Sequence, residues 1–248
     1  STYTYLLASR AGGEALLIDP VFEKTERYIR LLEELDLKLV KVVDTHVHAD
    51  HITAMGALRD RTNCVTVMGE QSPVDVVSMR VSDGERVTIE GIDLTAMHTP
   101  GHTDDSYCFR MDDRVFTGDT LLIRGTGRTD FQNGDAGQQY DSLFDGVLKL
   151  PESTLVYPAH DYKGDMVSTI GEERANNPRL QVGSRAEYIE LMAGLNLPNP
   201  KMMDVAVPEN IRMGLNLDRQ REVATVTPES IIMDNAEDKR TLLEKIVF

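Results

Sequence analysis

The chain has 248 residues, of which 41% are hydrophobic and 27% are charged, enough apolar material for one large domain or two small ones. Its 26 basic and 41 acidic residues give a net charge of −15, which repels phosphate backbones and argues against a nucleic-acid partner. No apolar run reaches bilayer length, and no signal peptide is visible at the N-terminus. We expect no membrane association, and either a bacterial cytoplasmic location or the mitochondrial matrix if a presequence has been removed.

Strand-like and helix-like patterns alternate over the first two thirds of the chain. The predicted strands are residues 3–8, 15–19, 39–44, 64–68, 86–89, 92–98, 107–111, 115–117 and 154–157. The predicted helices are residues 23–36, a helical pattern over 52–61, a short helix at 74–79, and helices at 139–150 and 167–176. Several hairpin-like pairs indicate mixed sheets, and a layered α/β architecture follows.

Three histidines and an aspartate crowd into residues 45–51, which read THVHADH. This segment follows an apolar strand and precedes a helical pattern, so it lies on a strand-to-helix turn. His46 and His48 alternate on an extended segment and therefore point the same way, and Asp50 and His51 continue into the turn. Such side chains can converge on one point beyond the end of the strand.

Other polar residues also end predicted strands, namely His102, Asp119 and His160, so all of them can reach a common sheet edge. Imidazole nitrogens and carboxylate oxygens, with no cysteine among them, suit zinc, iron, manganese and related divalent ions. We therefore predict a metal site at this edge. His98, which lies four residues before His102, is expected to make a structural hydrogen bond instead.

The segment 45–51, taken with His102, Asp119 and His160, resembles the HxHxDH…H…D…H motif of the metallo-β-lactamase superfamily. The resemblance covers about residues 6–160 and implies an αββα sandwich of two mixed β-sheets flanked by helices, with the metal at one edge. It implies a single such domain over residues 1–248. Residues from about 165 onward would form C-terminal helices and an extension packed on it.

Four further segments resemble the persulfide dioxygenase branch of this superfamily: LIRGTGRTDFQ at 122–132, YPAHDY at 157–162, EER with NPRL between 172 and 180, and NLP at 196–198. They extend the match to about residue 213, and residues past 217 match nothing. The resemblance implies one Fe(II) per chain, held by His46, His102 and Asp119 as a facial triad of two histidines and one carboxylate. The residues that would orient these ligands and water are His48, Asp50, His51 and His160.

The reaction implied by this branch is oxidation of glutathione persulfide by O2 and water to glutathione and sulfite. Read alone, however, the motif predicts a dinuclear hydrolase with a hydroxide held by Asp119, and a glyoxalase II-like thioesterase acting on glutathione thioesters is the nearest such alternative. A catalytically silent scaffold is a third hypothesis, disfavoured because the ligand set is complete. Motif spacing does not decide how many metals are bound; the resemblance favours the dioxygenase.

Glutathione carries two carboxylates, so a pocket for it needs cationic donors. Arg128 is the first candidate because a guanidinium matches a carboxylate and because it lies on a glycine-rich segment nine residues beyond Asp119. The other predicted substrate-binding residues are Tyr162, Arg124 and Lys163. The predicted partners are glutathione persulfide and O2, with a second copy of the chain as a candidate for a homodimer.

Overall fold

Two β-sheets pack face to face between layers of helices in the computed structural model, which describes residues 2–199 and 202–215. The strands are β1 Tyr5–Ala8, β2 Glu14–Ile18, β3 Lys38–Val43, β4 Val65–Gly69, β5 Met79–Val81, β6 Arg86–Ile89, β7 Ile92–His98, β8 Tyr107–Arg110, β9 Arg114–Gly118, β10 Leu155–Pro158 and β11 Ser168–Thr169. The α-helices are α1 Thr25–Glu34, α2 Met55–Thr62, α3 Ala136–Asp141, α4 Ile170–Asn176, α5 Arg185–Ala193 and α6 Met203–Asn210.

Both sheets are mixed, as predicted. The first has the order β1-β2-β3-β4-β5, in which only β1 and β2 are antiparallel. The second has the order β11-β10-β9-β8-β7-β6, in which only β9 and β10 are parallel. The expected αββα sandwich is therefore confirmed.

The alternation of side chains along each strand builds three apolar layers. In β3, Val43 points between the sheets, whereas Val42 points outward against α1 and α2. In the second sheet, Phe109 and Phe116 face the first sheet, whereas Cys108 packs outward on the helices that follow β9. Helices cover both outer faces because strands that are apolar on both sides need a cover on each side.

The prediction of a short helix at residues 74–79 is wrong. This segment forms a turn that leads into β5. The Arg80 guanidinium donates to the carbonyl oxygens of Ser72 and Val74 at 2.7 and 2.6 Å, so these carbonyls are satisfied without a helix. The tertiary contact therefore outweighs the local helical pattern.

Other elements differ from the prediction mainly at their ends. A 3-10 turn at Phe22–Lys24 precedes α1, and helix α3 continues through a π-helical segment at Ser142–Gly146 into a 3-10 turn at Val147–Lys149. The predicted helix at 167–176 begins as β11, which pairs with β10 before α4 starts.

The C-terminal part of the described chain packs on the sandwich at two places. Helix α5 lies against α3, and Tyr188 and Met192 of α5 belong to the outer apolar layer of the second sheet. Met213 and Leu215, which follow α6, pack in the outer layer of the first sheet. The predicted C-terminal extension lies outside the described residues. Within the described ranges, no helix combines the length and the apolar character needed to cross a bilayer.

Candidate metal centre and substrate cavity

Turns at the ends of four strands bring the predicted metal-site residues to one edge of the sandwich. The histidine segment follows β3, and His102, Asp119 and His160 follow β7, β9 and β10. Gly118 ends β9 with a φ of +51°, and a Cβ there would lie 2.7 Å from Thr45 Oγ1. Glycine is needed at this position because it permits both the backbone conformation and the close approach of Asp119 to the histidine turn.

His46, His102 and Asp119 form one compact group of metal donors. One donor atom from each lies within 4.8 Å of the others, and both histidines are buried. His102 Nδ1 lies 2.7 Å from the Arg128 carbonyl oxygen, which can only accept, so Nδ1 carries the proton and Nε2 is left with its lone pair. Two imidazoles and a carboxylate fit the donor set of a facial triad for a divalent ion such as iron.

The charge states of this group suit metal binding. Burial lowers the pKa of His46, and the neighbouring His48 and His102 lower it further, so His46 is neutral at pH 7. Burial acts to raise the pKa of Asp119, but the adjacent His160 and His102 outweigh it and hold the pKa well below its usual range. A neutral imidazole and an ionised carboxylate are the forms that bind a metal ion.

His160 joins Asp119 to Asp50 by hydrogen bonds from both ring nitrogens. Nδ1 lies 2.6 Å from Asp119 Oδ1, and Nε2 lies 2.8 Å from Asp50 Oδ2. Burial opposes protonation of His160, but the two carboxylates, Asp119 first, raise its pKa well above the usual value. His160 is therefore an imidazolium here that orients both carboxylates.

A second group of donors lies beside the first and consists of His48, Asp50 and His51. His48 Nε2 lies 3.1 Å from Asp19 Oδ1, and Asp50 is engaged by His160. His51 Nδ1 lies 3.2 Å from Asp50 Oδ2, whereas His48 Nδ1 and His51 Nε2 have no hydrogen-bond partner among the described residues. The geometry of this second group is thus compatible with orienting the first group or with holding a second ion.

Two buried aspartates that the sequence did not single out support the histidine turn from behind. Asp19 accepts hydrogen bonds from the Thr45 backbone N–H at 2.7 Å and from the Thr45 hydroxyl at 3.0 Å. Asp105 accepts from the Val47 backbone N–H at 3.1 Å. Asp19 directly follows β2, just as Asp119 directly follows β9, whereas nothing local distinguishes Asp105. The predicted structural role of His98 agrees with its hydrogen bond to the Asp104 carbonyl oxygen.

A cavity of about 600 Å³ opens over the first donor group. Its walls come from the segment 122–128, from Phe131 and Gln132, and from residues 160–163 and 197–199. This volume lies within the range of small-molecule sites. The cavity thus leads from solvent to the candidate metal ligands.

The four predicted substrate-binding residues all line this cavity, but their side chains differ in what they contact. Arg128 binds Asp130 through two nitrogens, at 2.6 and 2.8 Å, and donates to the Pro198 carbonyl oxygen. Arg124 is paired with Glu172 and Glu173 at 2.5 Å, so its charge is already balanced. Tyr162 is 80% exposed, with its ring parallel to the His160 imidazole and centroids 6.4 Å apart.

Arg179 is a cavity-lining cation that the sequence reasoning did not select, although it lies in the NPRL segment. It is half-buried and donates to the carbonyl and hydroxyl oxygens of Thr126. Burial lowers its pKa. Arg124 is paired with two carboxylates and Arg128 with one, so Arg128 stays a candidate cation for the substrate, and Lys163 and Arg179 join it as cations that line the cavity.

The sandwich and its edge of histidines and aspartates define the metallo-β-lactamase class of proteins. The family model described as the metallo-beta-lactamase superfamily matches residues 1–74 and 69–160. A metallo-beta-lactamase structure from Staphylococcus aureus is 20% identical, covers 85% of this chain and 71% of its own, and superposes with a TM-score of 0.74, which supports the fold.

Relatives with higher sequence identity show which family of this superfamily the chain belongs to. Persulfide dioxygenase ETHE1, mitochondrial, is 46% identical in Mus musculus and 45% identical in Homo sapiens, over 86% of this chain and 85% of each relative. The crystal structure of ETHE1 from Myxococcus xanthus is 52% identical, covers 86% of this chain and 95% of its own, and has a TM-score of 0.84. The chain belongs to the persulfide dioxygenase family of the metallo-β-lactamase superfamily.

Proposed function

We propose that this chain is a mononuclear Fe(II) enzyme that oxidises glutathione persulfide with O2 and water to glutathione and sulfite. The observation that carries the proposal is the compact group of two histidines and one carboxylate, His46, His102 and Asp119, which lines the cavity. Membership in a family whose named relatives are persulfide dioxygenases supports it. When bound, Fe(II) supplies the redox chemistry by which O2 oxidises the terminal sulfur.

The protein's own residues would bind the ion, orient its ligands and attract the substrate. His46, His102 and Asp119 would hold the ion. The Arg128 carbonyl orients the His102 ring, and His160 orients the Asp119 carboxylate. Because the whole chain carries a net charge of −15, the anionic substrate must be attracted by local cations. Arg128, Lys163 and Arg179 line the path that its carboxylates would follow.

Part of the cavity wall is apolar. The apolar residues that line it are Leu122, Ile123, Phe131 and Leu197. An apolar wall lowers the local dielectric constant, which would strengthen the electrostatic contacts between cationic side chains and the substrate carboxylates.

Elemental analysis combined with oxygen uptake tests the proposal. We expect about one iron per chain in active protein, and one molecule of sulfite for each O2 consumed with glutathione persulfide as substrate. Active protein with two metals per chain, or protein that consumes no oxygen with this substrate, would contradict it. The control is the same assay with glutathione in place of its persulfide, which should consume no oxygen.

A dinuclear thioesterase is the second candidate, and a specific observation favours it. His48 Nδ1 and His51 Nε2, which have no hydrogen-bond partner among the described residues, could ligate a second ion. Two metal equivalents together with hydrolysis of a glutathione thioester would establish this alternative. The homodimer and the cellular compartment stay predictions, and sedimentation analysis of the purified chain would test the first of them.

A further inference from the structure

Asn210, the last residue of α6, contacts the candidate metal centre from a part of the chain that lies beyond the matched family model. Its side chain is 3% exposed. The amide nitrogen donates to the carbonyl oxygens of His48 and His51, both at 2.8 Å, and the amide oxygen accepts from the Thr53 backbone N–H at 2.9 Å. One side chain therefore makes three hydrogen bonds to the backbone of residues 48–53.

The two halves of the histidine turn are anchored differently. Asp19 and Asp105 hold the backbone of Thr45 and Val47 in the first half, which carries His46. In the second half, the Asn210 amide holds the backbone on both sides of Asp50. An amide fits this role because it offers two donors and an acceptor in one plane, and it remains uncharged when buried.

The Asp50 carboxylate links the second half of the histidine turn to the candidate metal centre. Its carboxylate contacts His160, and His160 contacts the candidate ligand Asp119. A shift of the backbone around residue 50 therefore changes how Asp119 is held. Outer contacts of this kind set the orientation of a metal ligand.

The segment after α6 packs against α2 through a close backbone contact. The Gly56 N–H donates to the Met213 carbonyl oxygen at 3.0 Å. A Cβ on Gly56 would lie 2.6 Å from that oxygen, so only a glycine allows this approach. The amide of Asn210 is thus presented to the histidine turn by a closely packed helix end.

We propose that Asn210 is a positioning residue of the metal centre, which holds the second half of the histidine turn so that Asp50 and His160 keep Asp119 in its binding orientation. The proposal rests on the metal site of the proposed function. It assigns to the C-terminal helix α6 a part in metal retention.

The test measures how fast Fe(II)-loaded protein transfers its iron to an excess of a chromogenic chelator under anaerobic conditions. Asn210→Ala removes all three hydrogen bonds, and Asn210→Asp keeps the shape but replaces both donors by acceptors. We expect iron loss to become on the order of 10–100-fold faster in both variants. Val87→Ala, which removes methyl groups from between the sheets, is the control for loss of stability, and Ile211→Ala is the control on the exposed face beside α6.

Iron loss from Asn210→Asp at the wild-type rate would overturn the proposal, because packing alone would then suffice. The proposal would also be overturned if Val87→Ala lost iron as fast as the Asn210 variants at an equal fall in Tm, because lower stability alone would then explain the loss. If the variants do not fold, hydrogen exchange of the unaltered chain decides: iron loading should slow exchange in residues 203–215, and unchanged exchange there would refute the coupling. Wild-type protein that binds no iron would refute the proposed function and with it this inference, whereas iron-binding wild type with unaltered Asn210 variants refutes the inference alone.

Discussion

The two neighbouring groups of donors at the sheet edge differ in how their atoms are used. In the group of His46, His102 and Asp119, protein partners bind one atom of each residue: the Thr45 hydroxyl, the Arg128 carbonyl and His160. A second atom of each residue remains for an ion. In the group of His48, Asp50 and His51, the first two residues contact Asp19 and His160.

This difference shows that closeness of histidines does not by itself define a metal site. Both groups bring three donors within 4.8 Å of one another. Only the first has every member oriented by a partner on its outer side, which is the arrangement that prepares ligands for an ion. We therefore expect the first group to hold the metal and the second to orient it, and the following substitutions test this division.

Removal of a residue from the first group should have the largest effect. Asp119→Ala, His46→Ala or His102→Ala each leaves two of the three ligands, so iron retention and oxygen uptake should be lost together. Iron content after gel filtration and oxygen consumption provide the measurement. Asp112→Ala, which removes an exposed carboxylate from the turn between β8 and β9, is the matched control and should keep both.

His160→Ala should have a smaller effect, because His160 orients Asp119 without being one of the proposed ligands. We expect iron affinity or activity to fall on the order of 10–100-fold. His98→Ala removes a histidine that is bonded to the Asp104 carbonyl oxygen away from the cavity, and it should leave both properties unchanged. If His160→Ala lost its iron as completely as His46→Ala, the division between the two groups would be wrong.

The contact of His48 with Asp19 can be tested through pH in the metal-free protein. Burial opposes the charge of His48, but Asp19 outweighs it and raises the pKa to about 9. Because the folded pKa exceeds the unfolded value of about 6.5, this stabilisation is complete below pH 6.5 and is lost as the pH rises through 9. Burial raises the pKa of Asp44 to about 7. The destabilisation that this causes grows with pH up to about 7 and changes little above it, so in the wild-type chain Asp44 adds little to the fall in stability between pH 7 and 9.

We therefore expect the free energy of unfolding in urea to fall between pH 7 and 9, by about 2 kcal/mol more in the wild-type chain than in His48→Gln. His160, whose pKa is also raised, is present in both chains. Loss of His48 raises the pKa of the neighbouring Asp44, so part of the fall persists in the variant and the difference is a lower bound on the contribution of His48. Equal slopes in the two chains would show that His48 does not pair with Asp19, which would reopen its role as a ligand of a second ion.

The sequence was sufficient for the layers of the fold and for the residues that converge at the sheet edge. Alternating apolar residues identify strands such as β7, and polar residues directly after strands identify His102 and Asp119. These signals are local, since they depend on the period of a strand and on the residue that ends it. The helix predicted at 74–79 failed because Arg80 satisfies the nearby carbonyl oxygens.

The supporting contacts of the site could not be predicted in this way. Asp105 lies 58 residues from Val47, and Asn210 lies 162 residues from His48, so no pattern in the chain connects them. Ion pairs of the cavity wall are equally non-local: Glu173, which pairs with Arg124, lies 49 residues away. A single sequence reveals which residues can do chemistry, but the partners that hold them emerge only from the folded chain.

Arg128 serves the first donor group with its backbone and faces the cavity with its side chain, so its substitution separates the two roles. Its carbonyl oxygen orients His102, and Arg128→Ala keeps that carbonyl. Iron content should therefore stay unchanged. The guanidinium already donates hydrogen bonds to Asp130 and to the Pro198 carbonyl oxygen, so we expect it to make one charge-assisted contact with the substrate. Loss of that contact should raise the activation free energy for glutathione persulfide by about 1.5 kcal/mol, which lowers kcat/KM roughly tenfold.

Arg128→Lys should recover only part of this loss, because an ammonium group cannot reproduce the planar contact with a carboxylate. Arg30→Ala, on the exposed face of α1, is the matched control and should leave the kinetics unchanged. Normal kinetics in both Arg128 variants, with a defect in Arg179→Ala, would transfer substrate recognition to Arg179. Loss of iron in either Arg128 variant would instead show that the side chain itself holds the loop that orients His102, because the carbonyl is present in both.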